Sequence, residues 1–302
     1  MQKIAPMIWF NNNAEEAVNL YVSCLENAKI NNITWFTKAG FEIHQQPEGR
    51  AMTVQFELEG YSMVALNGGP QFPLNPSVSF FISCTTKEQV DEIWKKLSAG
   101  GKIMMDLGSY PFSERYGWVQ DKYGVSWQVM YMGERKIEQK IIPALMFTGQ
   151  MAGRAEEAID NYVSIFHNSS KNYVMRYEKG EEPDKEGTIK HASFILEGQQ
   201  FAAMDSALDH GFSFNESISF MVSCKDQEEI DYFWDKLSDG GDPQAQQCGW
   251  LRDRYGVAWQ IVPSRLDEMM QDKDTAKVER VTNAFMQMKK LNIAELEKVY
   301  NG

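Results

Sequence analysis

Basic residues are in short supply. Lys and Arg number 30 against 42 Asp and Glu, a formal net charge of -12 with His neutral. No basic run interrupts that balance, so the electrostatic footprint of a nucleic-acid partner is missing. Cysteine is equally sparse. Cys24, Cys84, Cys224 and Cys248 never form a CxxC pair, which excludes a zinc knuckle and leaves disulfide stapling without a framework. No apolar run approaches the roughly 20 residues that cross a bilayer. The opening MQKIAPMIWFNNN also lacks the long apolar stretch and small-residue cleavage site of a signal peptide. A cytoplasmic protein with no membrane partner is the expectation. Only His44, His167, His191 and His210 are available, and no Ser-His-Asp or Cys-His arrangement emerges from them.

Repetition is what the chain has in plenty. AEEAVNLYVS at 14–23 returns as AEEAIDNYVS at 155–164, SVSFFISC at 77–84 as SISFMVSC at 217–224, and GWVQDKYGVSWQV at 117–129 as GWLRDRYGVAWQI at 249–261. The offset drifts only from about 141 to 132 residues, so indels are few and belong in loops. A period this long means duplicated domains and not a solenoid. With 43% hydrophobic and 12% aromatic residues in 302, each copy has material for an ordinary core. The expected domains are 1–135, 136–263 and a tail, 264–302.

A weaker repeat lies inside each copy. Residues 4–21 read as an apolar strand, an Asn-rich loop and a helix from about Ala14 to Cys24; residues 77–97 read the same way. Ala17, Val18, Tyr21 and Leu25 fall at helical spacing, as do Val90, Ile93, Trp94 and Leu97. Asn13 and Thr86 are the expected N-caps, and the glycines at 100–101 and 240–241 the C-caps. Each helix precedes a short strand, near Ile33–Thr37 and Lys102–Asp106, and then a hairpin, turning at Glu59-Gly60 and around Asp121 to Gly124. The unit is strand, helix, three strands. It occurs twice per copy, predicting an α+β fold in which each copy forms one curved, eight-stranded mixed sheet. The concave side of that cup would hold a small ligand.

This order of elements, with NNNAEEAVNLY after Phe10, the copy AEEAIDNYVSIF, the pair DKYGVSWQV and DRYGVAWQI, and the tail KVERVTNAFMQMKKLNIAELEKVY, resembles the vicinal oxygen chelate superfamily of glyoxalases, bleomycin-resistance proteins and extradiol dioxygenases. More narrowly it resembles the PhnB-like group, often labelled 3-demethylubiquinone-9 3-methyltransferase. The resemblance spans essentially the whole chain as tandem glyoxalase-like βαβββ-βαβββ domains plus C-terminal helices. It implies a divalent metal on the cup floor, held by one ligand from each of four strands. Carried onto this chain, those positions fall near Ala5 and Pro6, Ile142 and Pro143, at Ser79 and Ser219, at Gln128 and Gln260, and around Val64–Leu66 and Ala203–Asp205. Only Asp205 supplies a carboxylate, too little for a divalent ion. No metal and no other cofactor is therefore expected. The methyltransferase label finds no support either, because no GxGxxG-like turn links a strand to a helix.

The remaining candidates come from alternation. Along DKYGVSWQV, Val125, Trp127 and Val129 share one face, and Ser126, Gln128 and Met130 the other. If Gln128 faces the cup, Trp127 and Trp259 are core. Gln128, Gln260, Ser79 and Ser219, which the resemblance puts on the cup floor, are with Trp118 and Trp250 the expected ligand contacts, although Trp118 and Trp250 could also be structural. His191, in IKHASFILEG, stands where copy one has Thr53; it reads either as a ligand-bonding base or as a half-buried strand histidine. Asp121 and Asp253 precede turns and are expected to bond turn amides. Cys84 and Cys224 suggest packing, while Cys248, opposite Tyr116 of copy one, has no evident role. In the tail, Val278, Val281, Phe285 and Met288 fall at helical spacing, and Asn292 caps a helix carrying Ile293, Leu296 and Val299. That stripe would pack on the domains or on a second subunit. The fused copies make an intramolecular pseudo-dimer, and association into a homodimer is left open. Two functions follow: a metal-independent small-molecule binding protein, or an enzyme active in copy two through His191, Asp205 and Gln260, with a divalent metal or unrecognised cofactor. A scaffold without ligand is a third.

Overall fold

The computed structural model describes residues 2–302. Copy one runs β1 (Ile4–Phe10), α1 (Ala14–Cys24), β2 (Ala28–Trp35), a short α2 (Phe41–His44), β3 (Ala51–Leu58), β4 (Tyr61–Asn67), β5 (Val78–Cys84), α3 (Lys87–Leu97), β6 (Lys102–Tyr110), β7 (Ser113–Gln120) and β8 (Ser126–Tyr131). Copy two repeats this as β9 (Ile141–Phe147), a 3-10 turn, α4 (Ala155–Ile165), β10 (Ser170–Arg176), β11 (Ile189–Leu196), β12 (Gln199–Asp205), β13 (Ile218–Cys224), α5 (Gln227–Ser238), β14 (Asp242–Gln247), β15 (Trp250–Arg252) and β16 (Ala258–Pro263). The tail holds α6 (Leu266–Met270), α7 (Thr275–Phe285) and α8 (Ile293–Asn301). Among the described residues no helix is long and apolar enough to cross a membrane.

The strands form two eight-stranded mixed sheets, as the α+β reading expects, but the copies share them. Sheet I has the order β14-β15-β16-β13-β1-β4-β3-β2, and sheet II the order β10-β11-β12-β9-β5-β8-β7-β6. Each sheet thus takes four strands from each copy, correcting the expectation of one cup per copy. The joins are antiparallel pairs at the sheet centres, Met7 opposite Ser219 and Ala144 opposite Ser79. The physical reason lies in the connections. Residues 68–77, containing three prolines, carry the chain from β4 in one sheet to β5 in the other. Alternation sets which face a strand buries and is silent on which neighbour it pairs with.

The helices sit on the convex faces. Tyr21 of α1 lies 4.9 Å from the Trp127 ring of sheet II and 6.3 Å from the Phe56 ring of sheet I, and Phe166 stacks on Phe233 of α5 at 5.1 Å. One continuous core therefore joins both sheets through the helical layer, and the concave faces point away from it. Trp127 and Trp259 are fully buried there, as alternation requires. Thr86 caps α3 by accepting from the Gln89 amide. Asn13 makes no side-chain cap on α1; Asn67 of β4 accepts from the Ala14 amide at 2.9 Å instead. Gly100 and Gly240 adopt positive φ after α3 and α5, the expected left-handed stop.

The tail crosses sheet I. Val281, Leu291 and Leu296, all fully buried, pack with Val262 of β16 and Met221 of β13. Those two residues alternate with Ile261, Phe220 and Val222 of the core, so they belong to the concave face. At one end of the sheet the Cys248 and Gly249 amides donate to the Met288 and Lys289 carbonyls at 2.7 Å. At the other, the Met286 thioether fills the space above Gly40, beside α2. The unexplained Cys248 is thus part of the tail's anchorage, through its backbone.

Candidate functional site

The shared sheets regroup the candidate residues. Ser79, Gln128, Trp118 and His191 meet on the concave face of sheet II, called cup II below; Ser219, Gln260 and Trp250 lie on that of sheet I, cup I. His191, Asp205 and Gln260 are not brought together. Gln260 is in the other sheet, and Asp205 points to the helical side of β12. Asp205 there accepts from the Gly153 and Ala155 amides at 2.8 and 3.0 Å and from the Ile189 amide at 2.9 Å. Its copy-one equivalent Asn67 bonds the first amide of α1 in the same way. Burial raises the Asp205 carboxyl against these amide bonds. The copy-two trio therefore has no shared site.

In cup II, Gln128 Nε2 donates to Ser79 Oγ at 2.8 Å and Gln128 Oε1 accepts from the Tyr116 hydroxyl at 2.6 Å. Trp118 Nε1 donates to Ser126 Oγ at 2.7 Å. These bonds hold a polar strip along one wall. The opposite wall carries His191, edge-on to Phe81 at 6.2 Å and 6.4 Å from Tyr173. Burial alone pushes its imidazole below the ordinary value, so it is neutral at pH 7. Phe81, Tyr116, Ala144 and Ala202 form an apolar cluster with Met105, Tyr110, Trp118, Met130 and Ile142. Across the floor, Ser193, Ala202, Ala144, Ser79 and Ser126 are successive register partners. Five adjacent strands thus present only small side chains, a trough in an otherwise aromatic wall.

Cup I repeats the plan with larger side chains. Its floor reads Gln55, Val64, Met7, Ser219 and Ala258. Gln260 Nε2 again reaches Ser219 Oγ at 2.8 Å, and also Met7 Sδ at 3.0 Å. Val64 and Met7 stand where cup II has Ala202 and Ala144, and the tail packs on Met221 and Val262 of the same sheet. Trp250 lies edge-on to Trp9 at 6.0 Å. Tyr116, Phe81, Ala144 and Ala202 escape a reading of single strands, because a trough exists only once register is known.

Neither floor suits a divalent ion. The four central strands offer Ala144, Ala202, Ser79 and Gln128 in cup II and Met7, Val64, Ser219 and Gln260 in cup I, with no carboxylate or imidazole among them. Among the described residues no group of three or more His, Cys, Asp or Glu side chains is placed to hold a metal. Two clefts, of about 960 and 520 Å³, open elsewhere, at equivalent places in copies two and one. Their turns are built on Asp253 and Asp121, whose carboxylates accept turn amides and the Trp259 and Trp127 indoles, the structural task expected of them.

Paired βαβββ units sharing two cupped sheets define the vicinal oxygen chelate fold. Glyoxalase I from Zea mays has it: at 11% identity it aligns with 90% of this chain and 98% of its own, TM-score 0.53. A dioxygenase-like protein from Bacillus subtilis does so at 11% identity over 97% and 94%, TM-score 0.50. The family model described as 3-demethylubiquinone-9 3-methyltransferase matches residues 2–130 and again 139–262. The chain belongs to that family, as two repeats. A PhnB protein from Bacillus cereus is 36% identical, aligning with 43% of this chain and 99% of its own, TM-score 0.40. No curated protein matches the chain in sequence.

Proposed function

We propose that the chain is a small-molecule binding protein that works without a metal and holds a flat, largely apolar ligand in cup II. One observation carries this: the small-residue floor of cup II, flanked by Phe81, Trp118, Tyr116 and His191, where cup I has the larger Met7 and Val64. Apolar walls favour burial of an aromatic body at about 25 cal/mol per Å². The Gln128 and Ser79 pair and the neutral His191 would bond a single polar edge, the division of labour usual in ligand cavities. The donor set supports binding more than catalysis, since His191 has no carboxylate or second base beside it.

The test borrows from cup I. Ala144→Met and Ala202→Val install the side chains that the equivalent positions already carry. An apolar fluorescent probe, 1-anilinonaphthalene-8-sulfonate, would report occupancy. A ligand denied the trough loses roughly 100 Å² of apolar contact, about 2.5 kcal/mol and close to a hundredfold in affinity. Unchanged affinity in a doubly substituted, cooperatively folded chain would remove cup II from consideration.

A further inference from the structure

We infer that cup II carries a binding site for a soft monovalent cation of the Cu(I) class, formed by Met175, His191, Met204 and Met146. The four stand in one row across adjacent strands. Met175 of β10 is the register partner of His191 in β11, and Met204 of β12 is that of Met146 in β9. The β11–β12 ladder, with Ala192 opposite Ala203, sets His191 beside Met204. His191, Met204 and Met146 each lie two residues from Ser193, Ala202 and Ala144 of the floor, so the row shares the concave face. Neighbouring strands are about 4.8 Å apart. The imidazole therefore stands between two thioethers, with a third one strand beyond Met204. The row runs about 7 Å along the strands from the small-residue floor, and the reading of that floor as a ligand site does not depend on it.

Thioethers are neutral, soft donors that suit Cu(I) and serve hard divalent ions poorly, while imidazole ligates both kinds. The row is thus a different proposition from the divalent site that the two floors fail to make. His191 is available as a ligand: among the described residues no protein group hydrogen-bonds its ring, and burial alone acts on it. Phe81 and Tyr173 flank it at 6.2 and 6.4 Å. Gap filling explains single methionines in a core, but it fails here on two counts. Met175 lies on the edge strand of sheet II and is 41% exposed, where there is no gap to fill. The equivalent row of sheet I reads Thr34, Thr53, Leu66 and Trp9, so the same positions pack without a single sulfur. Methionine is 17 of 302 residues and histidine only 4, too few for composition alone to gather three and one in a row of four. The net charge of -12 adds no repulsion to an incoming cation.

The experiment titrates the full chain with Cu(I) under ascorbate, in competition with the chromophoric chelator bicinchoninate, and in parallel with Ag(I). Cys24 and Cys248 are the partly exposed thiols and compete for the same ions, so the titration uses Cys24→Ala with Cys248→Ala. One equivalent should be taken up. Methionine methyl NMR then names the ligands, and is also recorded on the unmodified chain. Ag(I) should shift the methyls of Met146, Met175 and Met204 and the ring of His191, leaving Met7 and Met221 of cup I in place. Met175→Leu with Met204→Leu, which keeps volume and apolar character, should abolish the uptake while cooperative unfolding is retained. Absence of stoichiometric uptake would overturn the inference. So would uptake that survives the paired leucines, or methyl shifts confined to other methionines.

Discussion

Asp253→Asn separates two opposing effects on one buried carboxylate. Four donors converge on it: the Tyr255 and Val257 amides at 2.8 and 3.0 Å, the Trp259 indole at 2.9 Å and the Tyr162 hydroxyl at 2.6 Å. Burial nonetheless pushes its carboxyl from 3.8 up to about 6, the donors only partly offsetting it. A folded value above the unfolded one means that protonation favours the fold. The stability tied to this group is therefore complete at low pH and is lost as pH rises from about 4 through 6. Each unit is worth about 1.4 kcal/mol, so the ionised form costs about 3 kcal/mol at neutral pH. Asparagine would keep the two turn amides on its oxygen. Its Nδ2 would face the Trp259 N–H, which cannot accept, whereas the Tyr162 hydroxyl can rotate to do so. One buried donor left unpaired costs about 1–3 kcal/mol. Urea unfolding followed by tryptophan fluorescence should show Asp253→Asn destabilising by about 2 kcal/mol near pH 4.5. The penalty should shrink by about 2 kcal/mol by pH 7.5, because only the wild type carries the ionisation cost. A penalty that grows toward neutral pH would refute the reasoning: the four donors would then outweigh burial.

Other consequences are simpler to read out. His191 should titrate below the ordinary imidazole range by NMR; acidification through that transition should weaken binding of a neutral apolar probe, and His191→Phe should remove the dependence. Tyr116→Phe, which frees Gln128 Oε1, should cost about 1 kcal/mol of stability in thermal unfolding while leaving the fold intact. Leu296→Ala should cost about 2–5 kcal/mol, seen in hydrogen exchange of α6–α8 before any change in the main core. Gly117→Ala should destabilise by about 1–3 kcal/mol, since an added Cβ would lie 2.5 Å from the Trp94 ring.

Strand faces were legible in the chain because period-two alternation is strict: Gln128 and Trp127 lie on the faces it assigns. The error over Asp205 was avoidable on the same ground. The turn at Glu197-Gly198 sets the β11–β12 register, with Ala192 opposite Ala203; that places His191 beside Met204, and Asp205 on the other face. Partner choice between strands was not legible, since a cup within one copy and a cup shared by both need identical alternation. Nor was the destination of the tail. The stripe through Val281 and Leu296 announces burial, but any apolar surface would satisfy it. The trough of cup II depends on both missing pieces, as Ala144 and Ala202 come from copy two and Ser79 from copy one.

The exchange of strands between fused copies has an evolutionary side. Two identical chains sharing sheets in this way would express every substitution twice, once in each cup, so no change could close one and spare the other. A covalent tandem lifts that constraint: Met7 and Ala144 occupy equivalent positions yet mutate independently. Here one cup carries Met7 and Val64 where its twin carries Ala144 and Ala202, a divergence closed to a symmetric pair.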